Sequence, residues 1–390
     1  MNVVISGGGI AGLSTGILLS QMGFNVDIFE ISSSLRDLGT GVQISPNGYR
    51  VLQLLNVEKE IAPHIFEPEN IHIRDGLNGS THLSFPIKEM TKNIWGGKYL
   101  NIKRFDLSKV LLDELNKQKS AKIHFSKNII NYRQTKKDIV AISEDGSCIP
   151  CDVLIAADGT FSKIRQQMLP TEKINYTGNF AWRALVDTKD INDQCLLKNN
   201  CIWTGPRKHA VTTILKKGSL INFVGVIKGS QKKNNLNFVE NKQFALNDFN
   251  GWNHNLVSII ESAKKIHKWP IYSALPFKRW TDQNVVLIGD AAHPMAPSMA
   301  QGAVQALEDS AILAKQLQGN STTYQSLYNF HKVRLPRTSR IQKLSKKNIH
   351  LFHLPNRFLV KIMYLIIRIL TRVIPNLLQK RFDWIYKFSI

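Results

Sequence analysis

Gly7-Gly8-Gly9-Ile10-Ala11-Gly12 fits the spacing G-x-G-x-x-G, directly after the strand-like run Asn2–Ser6 and at the opening of an apolar helical run. Each glycine has a physical task in that pattern. Gly7 allows the tight turn, Gly9 lets a pyrophosphate approach the backbone, and Gly12 lets helix and strand pack closely. The amides of Ile10 and Ala11, at the start of the helix, offer unpaired N–H donors and a positive dipole end to phosphates. Glu30 ends the next strand, 18 residues past Gly12. A carboxylate there accepts hydrogen bonds from both hydroxyls of an adenosine ribose and repels a 2′-phosphate, which disfavours NADP in this cradle. The cradle alone does not choose between FAD and NAD.

Two further segments bear on that choice. Asp158-Gly159 follows an apolar strand and precedes Thr160-Phe161-Ser162-Lys163-Ile164-Arg165. Gly289-Asp290-Ala291-Ala292-His293-Pro294 follows another strand and leads through Pro297 to Ala300-Gln301-Gly302-Ala303. Asp290, at a strand's C-terminal end, can accept hydrogen bonds from a polyol chain. The amides of Gly302 and Ala303, opening a helix, can face a ring that becomes anionic on reduction.

With these three landmarks in this order, the sequence resembles the flavoprotein aromatic hydroxylases (class A flavoprotein monooxygenases), and within them the salicylate hydroxylase branch. Further stretches carry the likeness over essentially the whole chain. Gly39–Gly48, with Gly41 and Val42, resembles the family's flavin-contacting loop after the second strand, and Arg104-Phe105-Asp106-Leu107 resembles its R-x-D-L segment, whose Arg contacts the flavin's polyol or pyrophosphate. Ala181-Trp182-Arg183, Trp203–Pro206 with His209, Ala300–Ala303 and Leu307-Glu308-Asp309 are similar to segments of the salicylate hydroxylase branch, as is the closing run Arg381–Tyr386. The sequence departs from the pattern at Lys103, where the family often has His, at Ala156, where a Gly is common, and at Thr212-Thr213-Ile214, where close relatives often carry Tyr-Pro.

The resemblance implies bound FAD, NAD(P)H as co-substrate, and hydroxylation of an aromatic or similarly electron-rich small molecule by O2 through a flavin C4a-hydroperoxide. Flavin supplies chemistry that side chains cannot. With one G-x-G-x-x-G in the chain, NAD(P)H has no Rossmann domain of its own. Three residues are candidates for the catalytic end. His209 could polarise or deprotonate a substrate hydroxyl, its ordinary pKa lying near neutrality. Arg183 could pair a substrate carboxylate, and Gln301, beside the expected flavin ring, could hydrogen-bond the substrate. His293 reads as structural or flavin-adjacent rather than as a base. Same-fold alternatives are a tetracycline-type antibiotic-inactivating enzyme, a quinone-biosynthesis hydroxylase and a flavin-dependent reductase. A halogenase is disfavoured because no W-x-W-x-I-P run occurs.

These residues need a scaffold, and the chain can supply one. Its 390 residues, 43% hydrophobic and 21% charged, are ordinary for a globular protein of two intertwined domains. The pattern predicts an α/β fold: a Rossmann-like FAD-binding domain of the glutathione reductase type (1–75, 99–175 and 273–335), an inserted β-sheet substrate domain (76–98 and 176–272) and a C-terminal helical segment (336–390). Helical breaks are expected at Pro336, Pro355 and Pro375, and an exposed polar loop at Gly229–Asn235. Cys148, Cys151, Cys195 and Cys201 are too few and scattered for a disulfide framework, and the Cys148/Cys151 pair lacks the second pair or nearby His of a metal site. A reduced, cytoplasmic compartment is expected, with no leader peptide.

The net charge, +22, points to anionic partners. From His331 to Ile390 fourteen Lys or Arg stand against one acid, Asp383, interleaved with Leu, Ile and Phe rather than Gly or Ser. That pattern suits an amphipathic tail better than a nucleic-acid arm. Within Phe358–Ile374 the cations Lys361, Arg368 and Arg372 share one helical face, which makes a poor membrane span and a candidate for peripheral contact with the membrane's inner face. The competing reading packs this helix on its own domain. Monomer and homodimer are both compatible with the sequence.

Overall fold

A computed structural model of the chain describes residues 1–37, 39–135, 138–191, 193–229, 238–373 and 377–390. The expected βαβ opening is present. Strand Asn2–Ser6, helix Ile10–Gln21 and strand Asn25–Glu30 follow one another, and the two strands pair in parallel. They sit inside a six-stranded sheet ordered Thr281–Asp282, Val285–Leu287, Val153–Ala156, Asn2–Ser6, Asn25–Glu30, Ala121–Phe125. Every pairing is parallel except that of the short edge strand Thr281–Asp282. The central strands are almost wholly apolar, as a sheet covered on both faces requires. Helices Ile10–Gln21, Arg104–Asn116 and Gly302–Gln318 cover it and share one core with it.

The second sheet has eight strands, ordered Phe238–Glu240, Ile266–Ser273, Asn175–Asp187, Leu220–Lys228, Lys208–Leu215, Asn200–Gly205, Ile71–Asp75, Thr81–Phe85. It is antiparallel apart from the pairing of Asn200–Gly205 with Ile71–Asp75. Strand Ile71–Asp75 therefore lies in this sheet, although the sequence reading kept residues up to 75 in the cofactor domain. Its alternating apolar pattern does not reveal which sheet it joins. One face of the sheet packs on Leu256 and Ile260 of helix His254–Glu261 and on Phe249 and Trp252 of the turn before it, and the other face looks toward the first sheet.

The tail is helical, with one difference. Pro336 does not break a helix. Thr323–Phe352 runs through it, burying Phe330, Arg334, Thr338, Ile341, Ser345 and Ile349 along one side. An interior proline costs about 3 kcal/mol or more, and burial of that long face outweighs it. The expected tail boundary at 336 thus falls inside a helix. Pro355 does lie between two helices, Thr323–Phe352 and Arg357–Val373. Pro375 and most of the expected loop at Gly229–Asn235 lie outside the described residues. Cys148 and Cys151 occupy one extended strand, Cys148 exposed and Cys151 buried on opposite faces, and no metal-binding cluster occurs among the described residues.

Candidate active site

A cavity of about 1000 Å³ runs from the C-terminal ends of the parallel strands to the inner face of the eight-stranded sheet. That is the upper end of the range for small-molecule pockets, roughly 300–1,000 Å³. Gly9, Ile10 and Ala11 line it at one end, with Gly41, Val42, Arg104, Ala157, Gly159, Asp290, Pro297, Gly302 and Ala303.

The glycine turn explains itself by contact. Gly7 has φ +104°, and a Cβ there would meet the carbonyl oxygen of Ala157 at 2.4 Å. A Cβ on Gly12 would lie 1.9 Å from the Gly7 carbonyl oxygen. Gly9 is different: its Cβ position meets nothing within 4 Å, and no side chain caps the helix it opens. Gly159 and Gly302 also face open space toward the cavity. Three glycines with free space on their cavity side, beside an uncapped helix N-terminus, form a cradle that fits the phosphates and chain of a dinucleotide. Glu30 stays at the strand end, accepting from the amides of Gly8 (2.8 Å) and Ser32 (2.9 Å), and is not among the lining residues.

The two aspartates differ. Asp158 is half-buried and does not line the cavity; one oxygen accepts from Lys163 N (2.9 Å) at the start of the short helix Lys163–Met168, whose N-cap is Ser162. Its other oxygen has no partner, and burial raises its pKa. Asp290 is exposed in the cavity. Between them lies Arg165, which donates to Thr160 O (2.5 Å) and Ala291 O (3.0 Å) and ties the Asp158-Gly159 turn to the Gly289-Asp290 turn. The sequence offers one signal for this tie, an arginine seven residues after Asp158. Ala300 takes a left-handed conformation (φ +51°), unfavourable for a residue with a Cβ, where the Pro297–Met299 turn swings into helix Gly302–Gln318.

At the other end the eight-stranded sheet presents Arg183, Ile202, His209, Val211, Thr213 and Asn222. Arg183 stands over the Trp269 ring at 5.1 Å. Its Nε has no partner and no carboxylate pairs with it among the described residues. Burial, reinforced by Arg104, lowers its pKa to about 10. Such a half-buried cation, with no carboxylate beside it among the described residues, is suited to an anionic guest. His209 is buried, with Nδ1 2.7 Å from Nε2 of His353 at the end of helix Thr323–Phe352. Burial and the second imidazole hold it well below the ordinary histidine range, so it is neutral at pH 7. Of the departures in sequence, Thr213 lines the cavity and accepts from Asn222 (3.1 Å), whereas Thr212 turns to Trp203. Lys103 pairs with Asp37.

Gln301 is placed otherwise than expected. It is buried outside the cavity lining, its amide donating to Ser45 Oγ (2.9 Å) and accepting from Asn47 and Gln305. It belongs to a dry network. Asn47 donates to Glu308 (2.6 Å), Arg334 pairs Glu308 and Asp309 (2.7 Å to the latter), and Asp309 accepts from Gly289 N and holds His293 at 2.6 Å. Burial opposes ionisation of both carboxyls, but the arginines and His293 outweigh it and their pKa values fall. His293 is thus structural. The network fixes the Gly289-Asp290 turn and the Gly302 helix against the tail. The His209–His353 pair and the contacts of Ser45 and Asn47 with Gln301 and Glu308 were not legible in the sequence, because the partners lie over a hundred residues apart.

A dinucleotide cradle on a parallel sheet, sharing one cavity with a buried polar site on a second sheet, defines a Rossmann-type flavoprotein. The chain belongs to the FAD binding domain family, whose model matches residues 1–343. It is 28% identical over 356 residues to the 3-hydroxybenzoate 6-hydroxylase of Klebsiella oxytoca, covering 90% of this chain and 89% of that one. It is likewise 28% identical to the 6-hydroxynicotinate 3-monooxygenase of Pseudomonas fluorescens, covering 89% and 90%. Among solved structures, a salicylate hydroxylase substrate complex superposes with a TM-score of 0.84 at 24% identity, covering 100% of this chain and 96% of that chain. Klebsiella pneumoniae HpxO complexed with FAD and uric acid also superposes at 0.84, with 22% identity and 96% and 95% covered. These likenesses establish the two-sheet fold.

Proposed function

We propose that this chain is an FAD-dependent monooxygenase that uses NAD(P)H and O2 to hydroxylate an aromatic or similarly electron-rich small molecule. The observation that carries the reading is the single cavity joining the Gly9 cradle to Arg183 and His209. The names of the curated relatives, a hydroxybenzoate hydroxylase and a hydroxynicotinate monooxygenase, agree with it. Bound flavin would supply hydride acceptance and activation of O2. The residues supply the rest. Gly9, Ile10, Ala11 and Gly159 would hold the phosphates, Asp290 the polyol chain, and the amides of Gly302 and Ala303 the electron-rich edge of the ring. Arg183 would orient an acidic substrate group, and neutral His209 would accept a phenolic proton. The apolar walls Ile202, Val211 and Val224 keep water away from the reacting atoms.

Partners in this reading are the aromatic substrate and O2, without nucleic acid, together with peripheral membrane contact through the basic tail. Among the described residues no helix is long and apolar enough to cross a membrane. NADH and NADPH oxidation by the yellow protein, with salicylate, other hydroxybenzoates, a prenylated phenol and tetracycline, tests the activity. One compound should accelerate oxidation and emerge heavier by one oxygen atom. Oxidation that no compound accelerates, with FAD bound, would count against an oxygenase and for a reductase.

A further inference from the structure

Helix Arg357–Val373 has two apolar faces, and only one is covered. On the inner side Val360 and Tyr364 are buried against Leu83, with Met363 and Ile367 packed beside Ile73 and Phe85 of the edge strands. Met363, Tyr364 and Ile367 also line the cavity. On the outer side Phe358, Ile362, Leu365, Ile366, Ile369 and Val373 are 37–73% exposed. Their spacing of four, three, one, three and four puts all six on one stripe of the helix. Exposed apolar stripes of this size mark interaction surfaces.

The charge decides what meets the stripe. The helix contains no Asp or Glu, and Lys361 and Arg368 lie along its flank. A two-fold contact with a second copy would set cation against cation, with no acid on the helix to pair them. An anionic bilayer offers the complementary field and accepts apolar side chains at the acyl boundary.

We propose that Arg357–Val373 docks on an anionic phospholipid surface and forms the bilayer-side wall of the cavity, so that an amphipathic aromatic substrate with an apolar tail is loaded from the membrane. This rests on the oxygenase reading for the identity of the head group. The acidic or phenolic head meets Arg183 and His209, while the tail follows Ile73, Leu83, Phe85, Met363 and Ile367. The inner face of one helix thus guides the substrate whose entry its outer face permits.

The test uses the FAD-loaded protein, with vesicles of phosphatidylcholine alone or enriched in phosphatidylglycerol. Wild type should sediment with the phosphatidylglycerol vesicles, and high salt should release it. The double variant Leu365→Glu/Ile369→Glu, altered outside the cavity, should bind at least about tenfold more weakly, while oxidising NAD(P)H with a soluble phenol at the wild-type rate. An alkylated phenol dissolved in phosphatidylglycerol vesicles should turn over faster than the same phenol in phosphatidylcholine. Wild type left in the supernatant, or a double variant that binds undiminished, overturns the docking. A dimer that the double variant dissolves would assign the stripe to a second copy. Equal turnover on both vesicles overturns the loading. Vesicle binding without turnover of any phenol leaves docking standing and sinks the oxygenase reading instead.

Discussion

His209 Nδ1 and His353 Nε2 lie 2.7 Å apart, so the second sheet and the tail share a proton at the edge of the cavity. One imidazole must donate to the other, and each is neutral at pH 7: burial and its partner depress His209, while burial and His350 hold His353 down to about 4. His209 on the sheet is the group placed to receive a substrate proton, and His353 fixes its tautomer.

Below pH 6.5 an unfolded histidine takes a proton that these folded ones refuse, so stability is complete above that value and is lost as pH falls toward about 4. His353→Asn should flatten this loss in denaturant titrations between about pH 6.5 and 4, and should shift the acid limb of the rate profile. Curves parallel to wild type would remove the pair from the account.

His209→Asn should lower turnover of a phenol by about 10²–10⁴-fold with FAD content unchanged. A substrate bearing no ionisable hydroxyl should suffer much less. Equal losses on both would make His209 a structural residue.

How much of this was legible in the chain? The cradle was, because Gly12 answers to the Gly7 carbonyl five residues earlier, and because strand, turn and helix have distinct periods. The apolar strand ahead of Asp158-Gly159, Val153–Ala156, was equally plain. Strand Ile71–Asp75 was misplaced because its partner, Asn200–Gly205, is distant and alternation does not specify a partner. Pro336 misled for a related reason: a local rule met a tertiary face that outweighs it. Gln301 sits next to Gly302 in sequence, yet its side chain points to Ser45 and Asn47, which no spacing rule foretells.

Two glycines separate cofactor fit from folding. Gly12→Ala should destabilise the protein outright, because its Cβ collides with the Gly7 carbonyl. Gly9→Ala meets no atom of the chain within 4 Å and should fold, with a stability change of about 1 kcal/mol or less, but should purify with little FAD. A yellow Gly9→Ala protein would mean that the phosphates lie elsewhere.

Arg183→Gln should raise KM for an aryl carboxylate or phenolate roughly 10- to 100-fold, the worth of a charged hydrogen bond, and leave a neutral phenol ether nearly unaffected in binding. Titration of both compounds against the reduced and oxidised protein checks this. Matching losses would show that the Arg183 cation only supports Trp269.

Arg334→Met leaves Asp309 with His293 alone, and Glu308 with Arg337 (2.7 Å) as its one remaining arginine, in a buried network. Loss of one partner from such a pair costs about 3–5 kcal/mol, which urea denaturation of the FAD-loaded protein would read. A change below about 1 kcal/mol would mean that the neighbouring Arg337 compensates.

The central claim is that oxygen from O2 ends on a substrate held at His209 and Arg183. Turnover under ¹⁸O2, followed by mass spectrometry of the product, addresses it directly. The account predicts one labelled oxygen atom per product molecule, with the label lost when ¹⁶O2 and labelled water are used instead. A product that is unlabelled, or that has gained hydrogen rather than oxygen, would contradict it.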